Sequence, residues 1–246
     1  MSDKLMNVLG IDIGGTKIAV CLADSQGQVL ASQRLASGAT APYEQVLPQI
    51  IGQARQLMVE TGLTKNIAAC GICAPGPLDM VGGRIMKSPN MAWDAVPIRD
   101  DLAKALELPV YMDNDANAGV LAELFFGCAK GKKDVIYLTM STGVGGGIIA
   151  NGRLVTGVSG IGGELGHLVL DVNGPICGCG QLGCLEAYCS GRAIEEETGR
   201  PPQRAPQAIV ERTGILTGRA LASVGAICDL RLAVVGGSVA LGFGEP

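Results

Sequence analysis

TMSTGVGGGIIA, residues 139–150, repeats the plan of IDIGGTKIAV, residues 11–20. In each, an apolar run of strand type enters a glycine turn that carries a hydroxyl, Thr16 in one and Ser141 with Thr142 in the other. A second apolar run then leaves the turn. Such a duplication predicts two similar halves facing each other across a cleft, with the boundary near residues 113–116.

Working outward, residues 5–13 and 17–24 read as strands, and a Ser25-Gln26-Gly27 turn leads to a third near 28–35. Val46, Ile50, Ala54, Leu57 and Met58 carry helical spacing over residues 43–62, with Pro48 close enough to the start to displace it. A buried strand follows at 66–74, stopped by Pro75-Gly76-Pro77. A short helix is predicted at 97–107, a strand at 109–113 and a helix at 116–127. Residues 135–140 and 147–150 read as strands joined by a turn over 141–147. Residues 195–207 (EEETGRPPQRAPQ) read as a polar loop before a helix at 207–228, and a strand at 231–235 precedes Gly236-Gly237-Ser238. Strands alternating with helices define an α/β class with partly parallel sheets.

Composition narrows the function classes. Apolar residues make up 48% and charged residues 17% of 246 residues, which describes a globular chain. A net charge of −4 and a pI near 5.1 argue against a nucleic-acid partner. No apolar run reaches the length of a membrane span, and no signal-peptide pattern opens the sequence, so a cytoplasmic protein is expected. The 37 glycines suit a scaffold whose backbone approaches its ligands closely.

The densest chemistry lies in residues 160–191, GIGGELGHLVLDVNGPICGCGQLGCLEAYCSG. His167, the only histidine, is followed by Cys177, Cys179 and Cys184 with glycines between the thiols. Three thiolates and one imidazole form a closed tetrahedral set of the kind zinc prefers in structural sites. A disulfide is the competing reading, and the odd count of nine cysteines speaks against it. Cys21, Cys70, Cys73, Cys128 and Cys228 sit in apolar stretches and read as small core residues. Gly178 to Gly183 formally matches G-x-G-x-x-G but lacks the strand–turn–helix context of a dinucleotide site.

Three further motifs carry chemistry. Tight glycine turns with a hydroxyl make a concavity for phosphate oxygens, and Asp12 before the first turn suits a magnesium ion beside a nucleotide. An ordinary hairpin is the alternative for either turn alone, and no P-loop pattern is present. Asp113-Asn114-Asp115 ends a strand and opens a helix, where one residue can cap and another act as a base on a hydroxyl. With the histidine committed to metal, Asp115 is the candidate base. The loop Lys87–Trp93 carries Asn90, whose amide can donate to and accept from a sugar hydroxyl; a turn with an anchoring tryptophan is the alternative. Asn90, Asn114, Asp115, Glu164 and Glu186 would together form a dense set of hydroxyl partners.

GIDIGGTKIAV, APGP at 74–77, SPNMAW at 88–93, NDANAG at 114–119, STGVGGGII at 141–149, GELGH at 163–167 and CGCGQLGCLE at 177–186 resemble the ROK family of repressors, open reading frames and kinases. The resemblance runs from about residue 8 to residue 240. It implies the actin-like, ribonuclease H-type fold of two-domain sugar kinases, with domains at 1–114 and 115–246. It implies Asp115 as catalytic base, with Gly76, Asn90, Asn114, Glu164, His167 and Glu186 contacting the sugar. Asp12, Gly14, Gly15, Thr16, Lys17, Thr142 and Gly143 would face the phosphates and magnesium, and Gly236 and Gly237 the nucleoside. Against the family's pattern, the segment from Ser190 to Ala208 is compressed and the chain stops at Gly244-Glu245-Pro246 without a further helix, so a truncated C-terminus is expected.

The function expected on this basis is an ATP-dependent kinase acting on the 6-hydroxyl of a hexose, glucose first and N-acetylmannosamine second, with polyphosphate as the other donor. Structural zinc, magnesium with ATP, and a homodimer or homotetramer complete the expectation. A repressor of the same family would need a helix-turn-helix ahead of residue 12, where no room is expected. A catalytically silent sugar-binding module is the third class.

Overall fold

The computed structural model describes residues 6–37, 41–87 and 91–243. The chain divides into two compact units, residues 1–115 and 116–246.

The first unit holds β1 (Asn7–Ile13), β2 (Lys17–Asp24), β3 (Val29–Ala36), α1 (Tyr43–Glu60), β4 (Ile67–Ala74), the small hairpin β5 (Leu78–Asp79) and β6 (Arg84–Ile85), α2 (Ile98–Leu106) and β7 (Val110–Asn114). Its main sheet runs β3-β2-β1-β4-β7, with antiparallel pairing from β3 to β1 and parallel pairing from β1 to β7. Alternation does its work in β2, where Ile18, Val20 and Leu22 turn inward while their neighbours do not. The buried face of α1, from Tyr43 through Ile50 to Met58, packs in the same core. Pro48 lies inside α1 without displacing its start, because Pro42 already occupies the N-cap and its carbonyl accepts from Gln45.

The register of the parallel strands positions the chemistry. Asp12 pairs with Cys73, and Cys73 pairs with Asp113, so the three lie in line near the C-terminal ends of β1, β4 and β7. In open α/β sheets that end is where ligands bind.

The second unit begins within α3 (Asp115–Phe125) and continues through β8 (Val135–Met140), β9 (Val144–Ala150), β10 (Arg153–Leu154), α4 (Leu185–Cys189), α5 (Gly191–Thr198), α6 (Gln207–Cys228), β11 (Ala233–Gly236) and α7 (Ser238–Gly242). Its sheet runs β10-β9-β8-β11, with β11 parallel to β8. The hairpin-plus-parallel-strand pattern of β3-β2-β1-β4 therefore recurs.

Two expectations are corrected. The strand after the second turn begins at Val144 rather than residue 147, leaving a turn of only 141–143. Gly146 and Gly147 serve strand packing, not turning. A Cβ on Gly147 would sit 2.8 Å from Val120 Cγ1 and 2.9 Å from the Ala116 carbonyl, and one on Gly146 would sit 2.7 Å from the Gly163 carbonyl. The second correction concerns residues 195–198, which belong to α5 rather than to a loop. Ser190 caps that helix by accepting from Ala193 N–H at 3.1 Å, and Gly199 ends it in the left-handed region at φ 65°.

Candidate functional site

In the first unit the glycine turn closes with Gly14 N–H donating to the Lys17 carbonyl at 2.9 Å. Ser37, directly after β3, fastens it: its hydroxyl donates to the Gly15 carbonyl at 2.7 Å and its N–H to the Thr16 carbonyl at 3.1 Å. Asp12, Thr16 and Lys17 are exposed there, with Gly14 and Gly15 half-buried. Beside the turn, Cys73 Sγ donates to Asp12 Oδ1 at 3.5 Å. Burial, then the charge of Asp12, and further down the charge of Asp115, push the Cys73 thiol well up from its ordinary value. Asp115 is exposed at the first position of α3, and Asn114 N–H donates to Asp113 Oδ1 at 2.7 Å just before it.

Asn90 lies outside the described residues. The segment after it is anchored firmly: Trp93 is 1% exposed, donates Nε1–H to the Ala41 carbonyl at 3.1 Å, and meets Tyr43 edge-on with centroids 5.4 Å apart. Tyr43 in turn donates to Asp101 Oδ2 at 2.7 Å. Gly76 precedes Pro77 across a cis peptide bond.

In the second unit the turn 141–143 is closed by one internal hydrogen bond and held by two from outside. Ser141 N–H donates to the Gly143 carbonyl at 2.9 Å, and Gly191 N–H at the start of α5 donates to the Ser141 carbonyl at 2.7 Å. Ser238 N–H donates to Ser141 Oγ at 3.1 Å. Thr142 and Gly143 are exposed at its tip. Gly236 ends β11 and Gly237 links it to α7; Gly237 has φ 96° with its backbone against the Met140 carbonyl, so only glycine fits.

The Cys3His set comes together. The ligand atoms of His167, Cys177, Cys179 and Cys184 all lie within 4.8 Å of one another. Cys177 Sγ is 3.6 Å from His167 Nδ1, and Cys179 Sγ is 3.7 Å from Cys184 Sγ. A tetrahedron with metal–sulfur bonds of about 2.3 Å has edges of about 3.8 Å, so these donors fit such an ion. Gly166 lets the chain reach that point, because a Cβ there would meet the Val144 carbonyl. Glu164 and Glu186 are both half-buried. Glu186 bridges loop and turn: its Oε2 accepts from Val144 N–H at 2.9 Å, while its Oε1 lies 3.8 Å from Cys177 Sγ.

The residue patterns did not point to several supports. Tyr188 donates to Asp171 Oδ2 at 2.9 Å, Arg212 lies over the Tyr188 ring, and Arg212 makes a two-pronged pair with Glu197 at 2.7 and 2.6 Å. These ties fix the base of the cysteine loop to α4, α5 and α6. Cys73, Ser37 and Ser238 were likewise invisible as site neighbours, because only strand register and loop closure bring them there. No helix among the described residues is long and apolar enough to cross a membrane.

The chain belongs to the ROK family, whose pattern matches residues 8–242. It is similar to a glucokinase of Thermotoga maritima, 39% identical over 77% of this chain and 59% of that protein. It is also similar to an N-acetylmannosamine kinase of Escherichia fergusonii, 33% identical over 97% of this chain and 85% of that protein. A xylose repressor of Bacillus subtilis is 36% identical over 76% of this chain and 48% of its own length. Among solved structures, a ROK hexokinase from Thermus thermophilus matches with a TM-score of 0.84 and 39% identity, covering 98% of this chain and 84% of that one. The chain thus spans about three-fifths of the glucokinase's length, 59%.

Proposed function

We propose that the protein is an ATP-dependent hexose kinase that transfers the terminal phosphoryl group to the 6-hydroxyl of its sugar. The observation that carries this reading is the line Asp12–Cys73–Asp113 across β1, β4 and β7, with Asp115 two residues beyond at the start of α3. Phosphoryl transfer asks for a cation-binding carboxylate and a separate base, and Asp12 and Asp115 suit those two roles. The recurring hairpin-plus-parallel-strand pattern supports the actin-like reading and the two-domain division at 1–114 and 115–246.

In this mechanism Asp115 accepts the proton of the attacking hydroxyl. Asn114, Glu164, Glu186, Gly76 and, in the loop outside the described residues, Asn90 orient the other sugar hydroxyls. Gly14, Gly15, Thr16, Lys17, Thr142 and Gly143 hold the phosphates, and Gly236 and Gly237 receive the nucleoside. Asp12 would hold the magnesium carried with the nucleotide, which would supply neutralisation of phosphate charge. His167, Cys177, Cys179 and Cys184 would hold a zinc whose contribution is loop shape rather than chemistry, since a closed Cys3His set offers no open position. His167 Nδ1, the nitrogen facing Cys177, would be the ligating atom, which would leave Nε2 for a sugar hydroxyl. With zinc bound, Cys177 would be a thiolate with no proton to donate, which would leave Glu186 Oε1 to the sugar as well.

A second reading, an N-acetylmannosamine kinase, is favoured by the relative that aligns over 97% of this chain. Sugar-phosphate formation measured across glucose, mannose, N-acetylmannosamine, N-acetylglucosamine and fructose, each with ATP or polyphosphate, separates them. Glucose with ATP is expected to turn over fastest. N-acetylmannosamine in its place selects the second reading, and binding without turnover on every sugar contradicts the kinase assignment.

A further inference from the structure

Cys73 belongs to no function assigned above, yet its sulfur touches Asp12. We infer that Cys73 is a positioning residue for the Asp12 carboxylate: its thiol holds Oδ1 so that Oδ2 is presented to the cation that accompanies the nucleotide. This rests on the assignment of Asp12 to that cation.

Three observations carry it. Asp12 and Cys73 are direct partners in the parallel register of β1 and β4, so their side chains leave the sheet on one face as neighbours. The sulfur lies 3.5 Å from Oδ1, within reach of a hydrogen bond to a charged acceptor. Asp12 is exposed near the end of its strand, whereas Cys73, beside it on the same face of the sheet, is half-buried. The better-restrained side chain therefore orients the freer one. Cys70, three residues earlier and so on the opposite face of β4, is wholly buried and is left out of this contact. Orientation matters here because a carboxylate that rotates between two oxygens spends part of its time off the cation, and each excursion weakens binding without touching the sugar.

The test uses the full chain and its Cys73→Ala, Cys73→Ser and Asp12→Asn variants. Manganese binding in the presence of ADP is read by electron paramagnetic resonance, with the melting temperature recorded alongside. Cys73→Ala is expected to weaken manganese binding about 3- to 10-fold, the effect of losing one hydrogen bond to a charge. Cys73→Ser, which keeps an O–H donor, is expected to recover most of that loss, and glucose affinity is expected to hold in both. Unchanged manganese binding in Cys73→Ala, beside a clear loss in Asp12→Asn, overturns the role of the thiol alone. A serine variant as weak as the alanine one marks a packing role and also overturns it. If Asp12→Asn binds manganese as the parent does, the assignment of Asp12 fails and this inference falls with it.

Discussion

The carboxylate of Glu186 accepts the backbone N–H of Val144 at 2.9 Å, which ties the first turn of α4 to the first residue of β9. α4 begins directly after Cys184, so one side chain couples the cysteine loop to the glycine turn. Glu186→Ala removes the N–H acceptor and, on the proposed role, a hydroxyl partner. Calorimetric titration with glucose should show affinity lower by about 10- to 100-fold, the cost of an unpaired donor and a lost charged hydrogen bond. Unaltered affinity would remove Glu186 from the sugar site.

Metal analysis of the purified chain is expected to give about one zinc per chain, as a Cys3His set requires. Chelation, or Cys179→Ser, should lower the melting temperature and weaken sugar binding together, because Glu186 stands two residues after a ligand. A zinc-free protein that binds glucose at full strength would contradict both parts.

Much of this was legible in the residues. The alternation of strands and helices, the paired glycine turns and the H-x9-C-x-C-x4-C spacing all follow from local pattern, and the cysteine cluster did assemble. The glycines of β9 misled, because a glycine run reads as a turn until the helix pressed against it is known. Residues 195–198 misled because three glutamates read as a polar loop, while the Ser190 cap and Gly199 stop are short signals that a neighbouring proline pair obscured. Cys73 could not be found without strand register, which no local pattern states.

Gly147→Ala tests the packing account of β9. The added methyl meets Val120 and the Ala116 carbonyl, so denaturant unfolding should show a loss of about 1–3 kcal/mol. A neutral substitution would mean that α3 gives way easily.

The Arg212–Glu197 pair offers a pH test. The hydrogen bond from Arg212 holds the Glu197 carboxyl below its ordinary value, so the pair contributes stability above the unfolded carboxylate range and loses it as pH falls through the folded value. With Glu197 45% exposed, solvent screening keeps the contribution under about 1 kcal/mol. Glu197→Gln should therefore destabilise slightly at pH 7 and make no difference well below about pH 4. An equal penalty at both would mean that the charge of Glu197 is not what stabilises.

The central claim is that Asp115, at the start of α3, is the base that deprotonates the sugar hydroxyl. Asp115→Asn keeps the shape and removes the basic oxygen. The direct measurement is the single-turnover rate of glucose phosphorylation by this variant at saturating ATP, with glucose binding measured beside it. The account predicts near-parental binding and a rate lower by about 10²- to 10⁴-fold. A variant that phosphorylates glucose at the parental rate would contradict it.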